Sequence, residues 1–70
     1  MILYTRYSCS ACENVKKTLK DRSIAFSEVN IMEDAEAALA LVESGIRSVP
    51  VLELEDGQRY VGAVAIAEVI

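Results

Sequence analysis

Residues 7 to 12 read YSCSAC and contain both cysteines of the 70-residue chain, Cys9 and Cys12. A disulfide between cysteines three residues apart closes so short a loop that it would be a poor structural staple. A metal site of four thiolates would need ligands from a second chain or another molecule, because this chain offers only two. The third interpretation is a redox pair, and the surrounding sequence has to distinguish among the three.

Composition limits the class of protein. Hydrophobic residues make up 53% of the chain and its net charge is −4, which supports a folded core and argues against a nucleic-acid-binding surface. No apolar run approaches the about 18 residues of a membrane span, and the start MILYTRY lacks the pattern of a secretory leader. We therefore expect a soluble, cytoplasmic monomer with one domain over residues 1–70 and no nucleic-acid or membrane partner.

The chain contains no histidine. A cysteine–histidine hydrolase is therefore excluded, because no imidazole is present to act as the base. A zinc site of two cysteines and two histidines is excluded for the same reason. We expect thiol chemistry with no metal site and no bound cofactor.

Hydrophobic periodicity predicts strands and helices that alternate around the cysteine pair. The predicted elements are a strand at 2–4, a helix at 9–22, a strand at 24–31, a helix at 35–44, strands at 49–54 and 58–61, and a helix at 63–70. The second helix is expected to begin after Asp34 as N-cap and carries Ala35, Ala38, Leu39 and Val42 on one face.

The order βαβαββα predicts an α/β fold with a small mixed four-stranded sheet flanked by helices. Parallel strands need a crossover connection, so the first half of the chain predicts a parallel pair joined by a helix. Asp56-Gly57 is a hairpin signal, so the last two strands are expected to pair antiparallel.

The cysteine pair follows a strand and begins a helix. Ser10 and Glu13 match a capping box, and Ser8 is the alternative N-cap. Either cap places Cys9 nearest the positive end of the helix dipole, with Cys12 about one turn deeper. We therefore expect the Cys9 thiol to have the lower pKa and to attack first, and Cys12 to resolve the mixed disulfide.

Charged side chains flank this pair. Arg6 adds positive charge near the thiols, and Glu13 opposes it. Lys16 lies about two turns beyond Cys9, and we expect it to be a solvated surface charge.

With a CxxC pair on a strand–turn–helix unit and Ser48-Val49-Pro50 opening the third strand, the chain resembles a glutaredoxin of the thioredoxin superfamily. The resemblance extends from ILYT through SVPVLEL to the glycine after the hairpin. It implies a thioredoxin-like fold, with Cys9 similar to the family's nucleophile and Cys12 similar to its resolving cysteine.

The resemblance also implies a binding surface beside the thiols. Pro50 is expected to follow a cis peptide bond, and the backbone of Val49 to pair with a bound peptide or glutathione. Arg6 is similar to the family's basic residue that faces a glutathione carboxylate, and Gly62 is similar to a glycine that precedes the last helix. Tyr7, close to the thiols, is a further candidate for the substrate groove.

Two segments depart from the usual glutaredoxin pattern. Ser10 and Ala11 stand where many members have proline and tyrosine. The last helix begins Gly62-Ala63-Val64, without the acidic residue that holds the γ-glutamyl end of glutathione.

These departures leave the electron donor open. We expect a dithiol–disulfide oxidoreductase that reduces protein disulfides or glutathione mixed disulfides, with glutathione as one possible reductant. The first alternative is a redoxin that serves ribonucleotide reductase and is reduced by thioredoxin reductase. The second is a two-chain iron–sulfur or metal-binding module.

Overall fold

The computed structural model describes residues 1–70 and contains four strands and three helices in the predicted order. The elements are β1 (Ile2–Thr5), α1 (Ser10–Asp21), β2 (Ser27–Asn30), α2 (Ala35–Glu43), β3 (Val51–Glu53), β4 (Arg59–Val61) and α3 (Ala63–Val69). The predicted α/β class and thioredoxin-like βαβαββα order are therefore confirmed. No helix has both the length and the apolar character required to cross a membrane.

The four strands form one mixed sheet in the order β2-β1-β3-β4. β1 pairs parallel with β2 and antiparallel with β3, and β3 pairs antiparallel with β4. Because β1 is bonded on both sides, its carboxyl end is fixed at the middle of one sheet edge. The loop that leaves this end leads directly to the cysteine pair.

Apolar side chains fill both faces of the sheet, because successive residues of a strand point to opposite faces. The cluster on the side of α1 and α3 comprises Leu3, Val15, Leu19, Leu52 and Ile66. The cluster on the side of α2 comprises Tyr4, Leu41 and Val51. α1 and α3 therefore pack on the same face of the sheet.

β2 is shorter than the predicted strand at 24–31. The N–H of Ile24 donates to the carbonyl of Leu19 at 2.9 Å, so it completes the end of α1 instead of a strand ladder. Ile24 and Phe26 nevertheless pack against the cluster beside α1. The apolar pattern correctly indicated burial there and wrongly indicated strand.

The face of α2 that carries Leu39 and Val42 is not the face that packs on the sheet. Leu39 is 59% exposed and Val42 is 49% exposed, whereas Leu41 is the buried residue of this helix. A helix that is apolar nearly all round has no polar face to identify the stripe that meets the sheet. The predicted cap is confirmed, since Asp34 accepts a hydrogen bond from the amide of Ala37 at 3.1 Å.

We predict that Leu52→Ala lowers the free energy of unfolding by about 2–5 kcal/mol, because it leaves a cavity between the sheet and α1. Leu39→Ala removes the same atoms from an exposed position and should cost less than about 1 kcal/mol. Urea unfolding of both variants measures the difference. Equal losses would contradict the assignment of Leu52 to the core.

Candidate active site

Cys9 is the N-cap of α1, and its sulfur performs the capping. The amide of Cys12 donates to the Sγ atom of Cys9 at 3.1 Å. The expected caps are therefore wrong: neither Ser8 nor Ser10 accepts this hydrogen bond. Ser8 instead has a φ of 55° and turns the chain from the loop into the helix. The thiol is thus placed where the helix amides are unpaired.

The two cysteines form a disulfide with a Cα–Cα distance of 5.2 Å. Cys12 is fully buried, whereas Cys9 is partly exposed. An incoming thiolate or disulfide therefore has direct access to the Cys9 sulfur. The Cys12 sulfur is suited to attack from within the protein.

Pro50 lies at the same sheet edge as the cysteine loop. The Val49–Pro50 peptide bond is cis, as predicted. Since Tyr4 pairs with Val51 in an antiparallel ladder, Pro50 immediately precedes the first paired residue of β3 and lies at the carboxyl end of β1. The amide of Gly62 donates to the Pro50 carbonyl at 2.8 Å and holds the start of α3 beside it.

A cleft of about 240 Å³ opens between the cysteine loop and the segment before Pro50. It is lined by Arg6, Ile31, Arg47, Ser48 and Val49. Neither arginine forms a salt bridge. The cleft is therefore positively charged and can accept a carboxylate.

The sequence analysis missed Arg47. Its position could have indicated it, because Arg47 lies two residues before Val49 in the segment that leads to Pro50. The structure brings Arg47, Arg6 and Val49 together in the cleft. Gly62 contacts the far side of Pro50 and does not line this cleft.

The backbone of Val49 is available for pairing. Its N–H and carbonyl take part in no backbone hydrogen bond of the chain. An extended peptide could therefore bond to Val49 as an added strand. This geometry is compatible with the role expected for Val49.

Tyr7 is 52% exposed beside the cysteines but does not line the cleft. Its hydroxyl donates to the carboxylate of Glu33. This hydrogen bond, together with desolvation and the charge of Glu33, raises the pKa of Tyr7. The ring is thereby linked to the loop between β2 and α2.

Lys16 is not the solvated charge that we expected from the sequence. Its side chain is 18% exposed and lies 2.8 Å from the carboxylate of Glu13 and 3.1 Å from that of Glu28. The hydroxyl of Thr5, itself buried, donates to Glu28 at 2.8 Å. We call Thr5, Glu13, Lys16 and Glu28 the charge network.

The charge network shifts the pKa values of Glu28 and Lys16. Hydrogen bonding from Thr5, and then from Lys16, lowers the pKa of Glu28 against the opposing effect of desolvation. Hydrogen bonding to Glu13, and then to Glu28, raises the pKa of Lys16. Both carboxylates therefore face a cation that stays charged at neutral pH.

Comparison with known proteins agrees with this geometry. The family model described as Glutaredoxin matches residues 1–59. The chain belongs to the glutaredoxin family. It is 39% identical to the glutaredoxin-like protein NrdH of Lactococcus lactis subsp. cremoris over 77% of this chain and 75% of the relative.

Two further relatives of this glutaredoxin are informative. The N-acetyl-S-hydroxy-L-cysteine reductase of Bacillus subtilis is 32% identical over 89% of this chain and 68% of its own length. The solved structure of the NrdH-redoxin of Escherichia coli superposes with a TM-score of 0.86 at 30% identity, covering 99% of this chain and 92% of that one. That protein is glutaredoxin-like with a thioredoxin-like activity profile.

This glutaredoxin is a thiol–disulfide oxidoreductase. Its disulfide pair lies on the strand–turn–helix unit that suits the chemistry, since unpaired amides at the helix start stabilise a thiolate.

We predict that Cys9 is alkylated before Cys12 when the reduced protein meets a small excess of iodoacetamide at neutral pH. The helix start stabilises the Cys9 thiolate, and burial shields Cys12, so about a tenfold difference in rate is expected. Peptide mass spectrometry locates the label. Preferential labelling of Cys12 would reverse the assigned order of attack, and Cys9→Ser serves as the control for background labelling of Cys12.

Proposed function

We propose that this glutaredoxin is an electron carrier of the NrdH-redoxin type, reduced by thioredoxin reductase and delivering electrons to protein disulfides, with ribonucleotide reductase as the expected partner class. The observation that carries the proposal is the start of α3. Its N-cap, Gly62, makes no side-chain capping bond, and Ala63-Val64 offers only apolar side chains. The γ-glutamyl end of glutathione therefore lacks the acidic partner typical of glutathione-dependent members.

The proposed reaction conserves both sulfur bonds and electrons. The Cys9 thiolate attacks a substrate disulfide, and one substrate thiolate leaves as the mixed disulfide forms. Cys12, as thiolate, then attacks the Cys9 sulfur and releases the second substrate thiolate. The substrate is reduced by two electrons, and the Cys9–Cys12 disulfide must be reduced again by the donor.

The surfaces beside the thiols suit a protein substrate. The free N–H and carbonyl of Val49 can bond to an extended segment. Val49 and Pro50 lie at the sheet edge from which the cysteine loop leaves. Tyr7 offers an exposed ring next to the same site. The proposal requires no bound cofactor or metal, and it assigns the protein to the cytoplasm, where disulfides of this kind are transient.

The deciding experiment reduces the oxidised protein with two systems in parallel: thioredoxin reductase with NADPH, and glutathione with glutathione reductase and NADPH. We predict reduction at least about tenfold faster by thioredoxin reductase, which corresponds to about 1.4 kcal/mol in activation free energy. NADPH consumption measures both rates. Equal or faster reduction by glutathione would overturn the proposed donor.

A matched pair of variants sharpens this test. Val64→Asp places an acid at the exposed start of α3 and should raise the glutathione-dependent rate. Val69→Asp adds the same charge at the opposite end of α3 and should leave that rate unchanged. If both variants change the glutathione-dependent rate equally, the missing acid at the start of α3 does not explain the donor preference.

The cleft between Arg6 and Arg47 favours a second candidate, the reduction of small acidic cysteine derivatives. The related Bacillus subtilis enzyme is named for N-acetyl-S-hydroxy-L-cysteine, which carries a carboxylate. Here Cys9 would attack the substrate sulfur and displace hydroxide, and Cys12 would release the thiol. Two cationic side chains without ion-pair partners can hold that carboxylate.

We predict that Arg47→Gln raises KM for N,N′-diacetylcystine by about two- to fivefold, the range of one exposed ion pair. The dimethyl ester of this disulfide lacks the carboxylates and should be insensitive to the change. Steady-state kinetics with dithiothreitol as reductant compares the two probes. The same KM change for acid and ester would exclude carboxylate binding by Arg47.

A further inference from the structure

We propose that the charge network beneath the first turn of α1 sets the reactivity of the cysteine pair, with Lys16 and Glu28 acting as positioning residues of opposite effect. The inference rests on the established thiol chemistry of the pair and holds for either electron donor. Neither side chain is needed to contact the substrate. Each acts on the thiolate through its charge.

The helix spacing places this charge on the face of α1 that carries Cys12. Lys16 lies four residues after Cys12, so the two share one face of α1. Helix side chains lean toward the N-terminus, and the contact of Lys16 with Glu13 confirms this direction. The ammonium group is thereby drawn back to the turn that Cys9 caps.

Glu28 approaches the same turn from the sheet. It pairs in register with Leu3, whose side chain packs on the α1 side. Thr5, two residues further along β1, shares that face and holds the Glu28 carboxylate at 2.8 Å. The carboxylate is therefore fixed between β1 and α1, where the chain also leads into the cysteine loop.

The sign of each effect follows from charge alone. A cation near the thiols favours the Cys9 thiolate, and an anion disfavours it. Lys16 offsets two carboxylates, Glu13 and Glu28, so the three ionised groups sum to one negative charge. Losing Lys16 leaves two negative charges, and neutralising Glu28 leaves none.

Other charged groups around the thiols stay constant in this comparison. α3 packs against α1 but carries a single charged residue, Glu68, in its last turn. The loops contribute Arg6 and Arg47 in the cleft and the hydrogen-bonded pair Tyr7 and Glu33. On α1, the charge of Lys20 also acts on Glu28. Changes confined to the charge network therefore isolate its contribution.

The test measures the rate of Cys9 alkylation in the reduced protein across pH, and the disulfide–dithiol equilibrium against dithiothreitol. Lys16→Met should slow alkylation at neutral pH by about two- to threefold, the scale expected of one unit charge that acts on the thiolate through a water-like medium without contacting it. Glu28→Gln should accelerate it by a similar factor. The double variant restores one net negative charge and should return close to the wild-type rate.

A role of Lys16 in packing alone predicts a different pattern. All three variants would then leave the pH profile unmoved or change it in the same direction, and either result overturns the proposal. Lys17→Met is the matched control, because Lys17 is an exposed neighbour without an ion-pair partner. An effect of Lys17→Met as large as that of Lys16→Met would indicate overall charge and also overturn the proposal.

The same experiment is independent of the proposed donor. Alkylation and dithiothreitol equilibration use neither thioredoxin reductase nor glutathione. A failed donor test with opposite responses of Lys16→Met and Glu28→Gln would retain the charge network as the source of thiol reactivity. If the donor test succeeds and the two variants do not respond oppositely, the proposed donor stands and the proposed role of the charge network is overturned.

Discussion

The hydrogen bond from the Cys12 amide to the Cys9 sulfur ties the chemistry of this protein to its fold. An N-cap residue has to leave the helical conformation and offer an acceptor to the first turn. Here the acceptor is the sulfur that also undergoes redox exchange. Because β1 is paired on both sides, the sheet fixes where the chain turns into α1, and that turn fixes the reactive sulfur.

The arrangement of elements could be predicted because local patterns and burial agree along most of the chain. They disagree at Ile24 and Phe26. Both side chains pack against the core, but the backbone at Ile24 completes the end of α1 and does not join the sheet. The cap of α1 could not be predicted from residue preferences, since serine is an ordinary cap and stands on both sides of Cys9. The backbone turn at Ser8 is what makes Cys9, and not a serine, the N-cap residue of α1.

The same distinction applies to the site. The pairing of Cys9 with Cys12 and the cis bond before Pro50 could be predicted, because both depend on residue types that are rare in this chain. Arg47 and Lys16 are common residue types whose contacts are with neighbours distant in sequence. Arg47 lines one cleft together with Arg6, and Lys16 forms an ion pair with Glu28 of another element. Such pairs depend on strand order, which propensities do not determine.

The location of Glu28 has a consequence for association between chains. β2 is an edge strand of the sheet, and an edge presents unpaired backbone groups to any other strand. Glu28 lies on that edge strand, partly exposed, and is bound to Lys16 and Thr5. A second strand that docked along β2 would have to strip water from this ion pair. A charge held on this strand therefore disfavours edge-to-edge pairing through β2.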